Sequence, residues 1–257
     1  MRQLTSSVWT LLIAGLLCAS CSSTRHYAEA PRLLGKDQGL IILDGELTAA
    51  KWDDGDTFSV RPATRGKKIR ARLKGYNTLE SYGPVHRWGE WTGEELYKLA
   101  KEAGVVARSH SWICHVTNES GGYGRKTADC PGLRRRLLAD GLAHAFAIDQ
   151  EPNPGDLQIQ RQAITQRKGM WSKGTPEKII TSLHSSDEQR KKGNSYNRLC
   201  STRTGFADVQ LHQDYYSLCE EVCIAGSCMT YIPYKKRYGK SRTQCDQAQV
   251  TKNVTKN

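Results

Sequence analysis

Long apolar runs are almost missing from this chain. Outside VWTLLIAGLL (residues 8–17) no segment approaches the roughly 18 apolar residues of a spanning helix, and that run is itself too short. No internal repeat is present, which excludes an architecture of stacked repeats. Acidic residues are few beside basic ones: 26 Asp and Glu face 38 Lys and Arg, a formal net charge of +12. Such an excess suits a polyanionic partner (nucleic acid, anionic lipid or acidic polysaccharide), although it also serves solubility. With 257 residues, 38% hydrophobic and 25% charged, the chain suffices for one well-buried core and a smaller appendage.

The N-terminus carries an export pattern. Arg2, the apolar run and the small residues after it form a signal peptide over residues 1–21. Cys18-Ala19-Ser20-Cys21 resembles a bacterial lipobox, with Cys18 where Leu is usual. That resemblance implies lipidation at Cys21, a membrane held through an N-terminal lipid anchor, and a place in the periplasm or cell envelope. Of nine cysteines, setting aside Cys18 and Cys21 leaves seven, at 114, 130, 200, 219, 223, 228 and 245. Export makes disulfides the default for these, and an odd number leaves at least one thiol free or paired between chains.

Periodicity divides the rest. Residues 22–39 are a polar tether, and residues 40–174 hold the main folded domain. Its first part reads as strands: LIILDGELTAAKW, DTFSVRP with Gly55 at the turn before it, and KKIRARLKGY. In the last, Ile69, Ala71 and Leu73 alternate with basic residues. A helix is predicted from about Gly89, ending near Gly104, then a strand at HSWICHV. Two further helices fit RRRLLADGLAHAFA and GDLQIQRQAITQRKGMW, with Trp171 closing the core. Residues 175–198 read as a linker, and residues 199–257, with five of the seven cysteines, as a small disulfide-stapled module.

DGDT (54–57), RLKGYNTLES (72–81), YGR (123–125) and GMWS (169–172) sharpen the reading. Their order and spacing resemble the staphylococcal nuclease (thermonuclease) family across about residues 41–173. The resemblance implies an α+β fold: a five-stranded OB-fold β-barrel with three helices. It also implies a calcium-dependent endonuclease that cuts DNA and RNA, with no obligate protein partner. Matched position by position, Asp56, Asn77 and the carbonyl of Thr78 are the expected Ca2+ ligands. Glu80 is the carboxylate that activates water, Arg72 and Arg125 grip phosphate, and Tyr123 contacts the nucleotide. The chemistry agrees: a hard cation takes oxygen ligands, and planar guanidinium forks suit phosphate oxygens. Two positions depart from the family, which has Asp at Asn77 and Pro at Leu79. The first removes a negative charge, which Asp53 and Asp54 would partly restore; the second removes a rigid φ before Glu80.

Alternatives accompany this reading. A surface OB-fold lipoprotein that binds nucleic acid or another polyanion without cutting it would share most of these features. His110, Cys114 and His115 are close in sequence, but strand alternation sends Cys114 and His115 to opposite faces. His212, Cys219, Cys223 and Cys228 have spacings compatible with zinc or with disulfides. Cys114 and Cys130 flank the YGR loop, and their pairing would brace Arg125. The segment IPYKKRYGKSR (232–242) interleaves tyrosines with cations, as a nucleic-acid track or a soluble cationic surface would.

Overall fold

A tight turn at Asp44-Gly45, with both residues at positive φ (50° and 91°), folds the first apolar run back on itself. Asp-Gly suits this hairpin geometry, so β1 (Gln38–Leu43) pairs antiparallel with β2 (Glu46–Trp52). β3 (Thr57–Val60) and β4 (Ile69–Leu73) continue the meander. The chain then leaves as β5 (Gly75–Thr78) and β6 (His86–Trp88) and enters helix α1 (Gly93–Ser109). It returns as β7 (Trp112–Ser120) and β8 (Lys126–Asp129). Parallel pairings of β1 with β7 and β4 with β8 close a barrel in the order β1-β2-β3-β4-β8-β7. The barrel has six strands rather than five, because the Asp44-Gly45 turn splits what the sequence presents as one strand. The computed structural model describes residues 34–120, 124–188 and 195–245. Cys21, the signal segment and Tyr123 lie outside them.

Three α-helices are present among the described residues, as expected, but their limits differ. Thr92 and Glu95 cap α1 reciprocally in a capping box. The helix runs past Gly104 because its buried face continues through Ala107. The second helix, α2 (Pro131–Ala139), ends before Gly141 (φ 66°); the AHAF stretch expected to extend it is strand β9 (Ala143–Phe146), paired with β5. Asn153 caps α3 (Pro154–Thr165), accepting from the backbone N–H of Gly155 and Asp156. Residues Gly169–Trp171 form a separate 3-10 turn, and Trp171 is buried with Leu79, Trp88 and Met170. No helix among the described residues is long and apolar enough to cross a membrane.

The C-terminal region is woven into the barrel domain. Residues 175–198, expected to be a linker, contain β10 (Lys178–Ser182), whose central Ile179, Ile180 and Thr181 are all buried. It pairs with β11 (Ser195–Ser201), which pairs with β12 (Ala207–His212). The hairpin of β13 (Glu221–Ile224) and β14 (Ser227–Thr230) takes β6 as its third strand. A second core mixes Tyr82 and Val85 with Leu183, Leu199, Met229 and Tyr231. The stapled region is therefore no free module: its hydrophobic face is completed by residues that follow Glu80.

Among the described residues three disulfides form, Cys114–Cys130, Cys219–Cys245 and Cys223–Cys228, leaving Cys200 as a buried free thiol. The odd cysteine is thus accounted for. Cys114–Cys130 joins β7 to the end of β8 across a sequence separation of 16, bracing the loop that carries Arg125. Closing a loop of that size stabilises by about 3 kcal/mol. Replacing both cysteines with Ala should lower the urea midpoint accordingly; an unchanged midpoint would assign the bridge no such role.

Candidate active site

At the head of β3, Asp56 lies on the same side as Phe58 and is 1% exposed. Pairing of Thr57 with Arg72 across β3 and β4 brings the guanidinium to it. Oδ1 accepts from Arg72 Nη1 and, at 3.0 Å, from Thr57 Oγ1. Oδ2 accepts from the Thr78 backbone N–H (2.8 Å) and from Thr78 Oγ1 (2.9 Å). A buried carboxylate needs such donors, since an unpaired one would be very costly. Gly55 has no positive φ; it supplies room rather than a turn. A Cβ there would meet Thr78 Cγ2 at 2.7 Å and Ala103 Cβ at 2.9 Å. That close approach lets Tyr76 Oη donate to the Gly55 carbonyl (2.8 Å) and locks β5 against the strand head.

The neighbouring acids are electrostatically crowded. Asp54 Oδ1 accepts from the Asp56 backbone N–H at 3.0 Å. Burial first, then the charge of Asp56, push the Asp54 carboxyl well above its usual range. Burial also raises Glu80, opposed chiefly by Arg237 and then Arg72, with Asp56 adding to the rise and Arg125 opposing it. Burial works against the charge on Arg72, but the carboxylates of Asp56, Asp54 and Glu80 outweigh it and raise its pKa. Arg125 is lowered, by burial and then by Arg72 and Arg70. Asp56, Arg72, Glu80 and Arg125 thus act on one another within one electrostatic neighbourhood.

Other assignments fare differently. Asn77 is 6% exposed on β5, in register with His144. Asp53, expected to lend charge to the site, is instead exposed and accepts from Arg70 Nη2 at 3.0 Å. Leu79 is 2% exposed, so burial anchors the segment where the family has proline. His115 is exposed while Cys114 is buried in its disulfide, on opposite faces as alternation requires. The zinc alternative at the C-terminal cysteines fails, because Cys219, Cys223 and Cys228 are all oxidised. Glu221 lies within 4.8 Å of the Cys223 and Cys228 sulfurs, but its carboxylate is held by Arg87 at 2.8 and 2.6 Å.

Sequence reasoning missed Arg237 and His86. Arg237 is 8% exposed, donates to the carbonyls of Ile232 (2.8 Å) and Leu183 (3.1 Å), and stacks 5.5 Å from the Tyr82 ring centroid. Among the arginines it acts most strongly on Glu80. Only long-range packing brings it there; its one sequence signal is the basic-aromatic run in which it sits. His86 Nε2 accepts from the Glu80 backbone N–H at 3.2 Å, fixing where the carboxylate leaves the chain. Burial, then His144, push His86 down to about 3. Unfolded His titrates near 6.5. As pH falls below that, the unfolded state takes a proton that the folded state refuses, and stability drops by up to about 3 kcal/mol by pH 4. His86→Gln should flatten that dependence in urea titrations; an unaltered slope would place the acid sensitivity elsewhere.

The donor chemistry fits a hard cation. The carboxylates of Asp54, Asp56 and Glu80 and the carbonyl oxygen of the Asn77 amide are all hard oxygen ligands, the type such a cation takes. No protein-family model matches the chain, and no curated protein matches it at a significant level.

Proposed function

We propose that this protein is an exported, calcium-dependent phosphodiesterase that hydrolyses DNA and RNA with little sequence preference, built on an OB-fold of staphylococcal nuclease type. The observation that carries the reading is the Asp56–Arg72 ion pair on β3 and β4, with half-buried Glu80 and Arg125 in the same electrostatic neighbourhood. Calcium would be held by Asp56, Asn77 and the Thr78 carbonyl, and when bound it supplies positive charge against the phosphate. Glu80, raised by burial, takes the proton of the attacking water. Arg72 and Arg125 hold the non-bridging oxygens and gain strength as charge builds on the phosphorus centre. Asp54 fixes the strand head by accepting from the Asp56 backbone N–H, and Arg237 positions Glu80. Export and the lipid anchor at Cys21 belong to the same reading and place the enzyme at the cell envelope.

A second reading is favoured by one observation. Both oxygens of Asp56 are already satisfied by Thr57, Arg72 and Thr78, and Asn77 brings no charge. A surface protein that holds polyanions through Arg72 and Arg125 without cutting them would need nothing more. Plasmid DNA and ribosomal RNA, each incubated with protein and either calcium or excess chelator, separate the two. Cleavage of both polymers with calcium alone supports the enzyme; retention without cleavage under every divalent metal supports the binder.

A further inference from the structure

Two short 3-10 turns, Tyr234–Lys236 and Gly239–Ser241, present the basic-aromatic run on the surface. Arg237 lies between them, buried, and its bonds to the Ile232 and Leu183 carbonyls pin the run to the second core. Thr243 N–H closes back on the Lys236 carbonyl at 2.9 Å, and Cys245 staples the end to Cys219. With its centre pinned, the segment turns its other side chains outward. Tyr234 is 57% and Tyr238 58% exposed, and Lys235, Lys236, Lys240 and Arg242 are exposed around them. Residues 232–242 contain no acidic side chain.

The segment abuts the candidate active site. Tyr238 meets Tyr82 edge-on, with ring centroids 5.7 Å apart, and Tyr82 is two residues beyond Glu80 in the chain. On its other side Arg242 Nη2 donates to Tyr97 Oη on α1 at 3.3 Å. Solvation alone explains exposed lysines; it does not explain two rings left more than half bare between them. Rings and cations in alternation match the requirements of unpaired nucleotides, whose bases offer π-faces and whose backbone offers phosphates. A duplex keeps its base faces stacked internally and cannot use the tyrosines in this way.

We propose that residues 233–242 form a binding surface for single-stranded nucleic acid, continuous with the Glu80 site, with bases stacking on Tyr238 and Tyr234 and phosphates held by the flanking Lys and Arg. The choice of nucleic acid among polyanions rests on the nuclease reading; the surface itself does not. It explains why a stapled C-terminal region is built onto β6 and the segment after Glu80: it lengthens the grip on a flexible strand beyond Arg72 and Arg125.

The test is fluorescence anisotropy of a fluorescein-labelled dT15 oligonucleotide with the purified protein in chelator, where cleavage is suppressed. Tyr234→Ala with Tyr238→Ala should weaken binding by about thirtyfold or more. Lys235→Gln with Lys236→Gln should reduce the slope of log affinity against log salt by about 1.4. All four side chains are exposed, so the variants should stay folded, with only a small drop in melting temperature where Tyr238 leaves Tyr82. Blunt duplex DNA should lose little affinity in the tyrosine variant. Unchanged dT15 binding in both variants would overturn the surface, as would losses seen only with heparin or with anionic phosphatidylglycerol vesicles. A parent that binds dT15 through these residues yet cuts nothing with calcium would sink the nuclease reading and leave this surface standing. A parent that cuts normally while both variants bind as it does would have the opposite meaning.

Discussion

Glu80→Gln lowers the rate of calcium-dependent cleavage about 10²–10⁴-fold, the usual contribution of a positioned general base. Glutamine keeps the size and the hydrogen-bonding capacity of the side chain but cannot take a proton, so DNA binding in chelator should be retained. The folded protein should lose no stability and should gain some. Burial already raises the Glu80 carboxyl, so its ionised form is disfavoured by folding and a neutral isostere removes that cost. Single-turnover rates at saturating calcium, paired with thermal melts, measure both effects. A variant that cleaves at the parental rate would remove Glu80 from the chemistry, whatever its position.

Arg72→Met should have two separable consequences. Cleavage should fall about 10²–10³-fold, because a donor aimed at the phosphate in the transition state is lost. Stability in chelator should fall by about 3 kcal/mol, because Asp56 remains buried at 1% exposure without its ion-pair partner. Thr57 and Thr78 still donate to it, which keeps the loss at the lower end of the range for a broken buried pair. Saturating calcium should restore part of that stability by supplying the missing charge. Urea titrations of parent and variant, each with calcium and with chelator, give the comparison. An identical stability loss in both conditions would mean that no cation binds beside Asp56.

Much of the site was legible because it sits where local pattern is strong. Alternation in IRARL fixes β4 and hence the face of Arg72, and the strand head at Asp56 follows from the period of TFSV. The Cys114–Cys130 pair was legible because both cysteines flank one loop. What escaped was either punctuation or distance. Asp44-Gly45 reads as part of a strand, although both residues adopt the positive φ that such a turn demands. Gly55 reads as the turn instead, but its real constraint is the space left by Thr78 and Ala103. AHAF continues a helical pattern on paper, but Gly141 ends α2 and pairing with β5 offers these residues a buried ladder. β10 is buried on both faces and so shows no alternation to read. Arg237 could be seen only as one cation in a basic run, because its nearness to Glu80 arises from the pairing of β6 with β14 and the core around Tyr82.

A common cause links these cases. The barrel and its acids depend on contacts between strands that are near in sequence, which hydrophobic period and turn chemistry specify. The C-terminal region depends on a strand and a tyrosine borrowed from the segment after Glu80, a pairing no local pattern announces. The same weave that hid the arrangement makes the stapled region part of the site's wall.

Calcium-titrated cleavage of DNA, in the parent and in Asn77→Asp, tests the central claim most directly. The account predicts saturable activation by calcium in the parent, none in chelator, and a lower half-saturating concentration in Asn77→Asp, because a carboxylate replaces a neutral amide among the oxygen ligands. Cleavage that persists in chelator, or a half-saturating concentration unchanged or raised by Asn77→Asp, would contradict it.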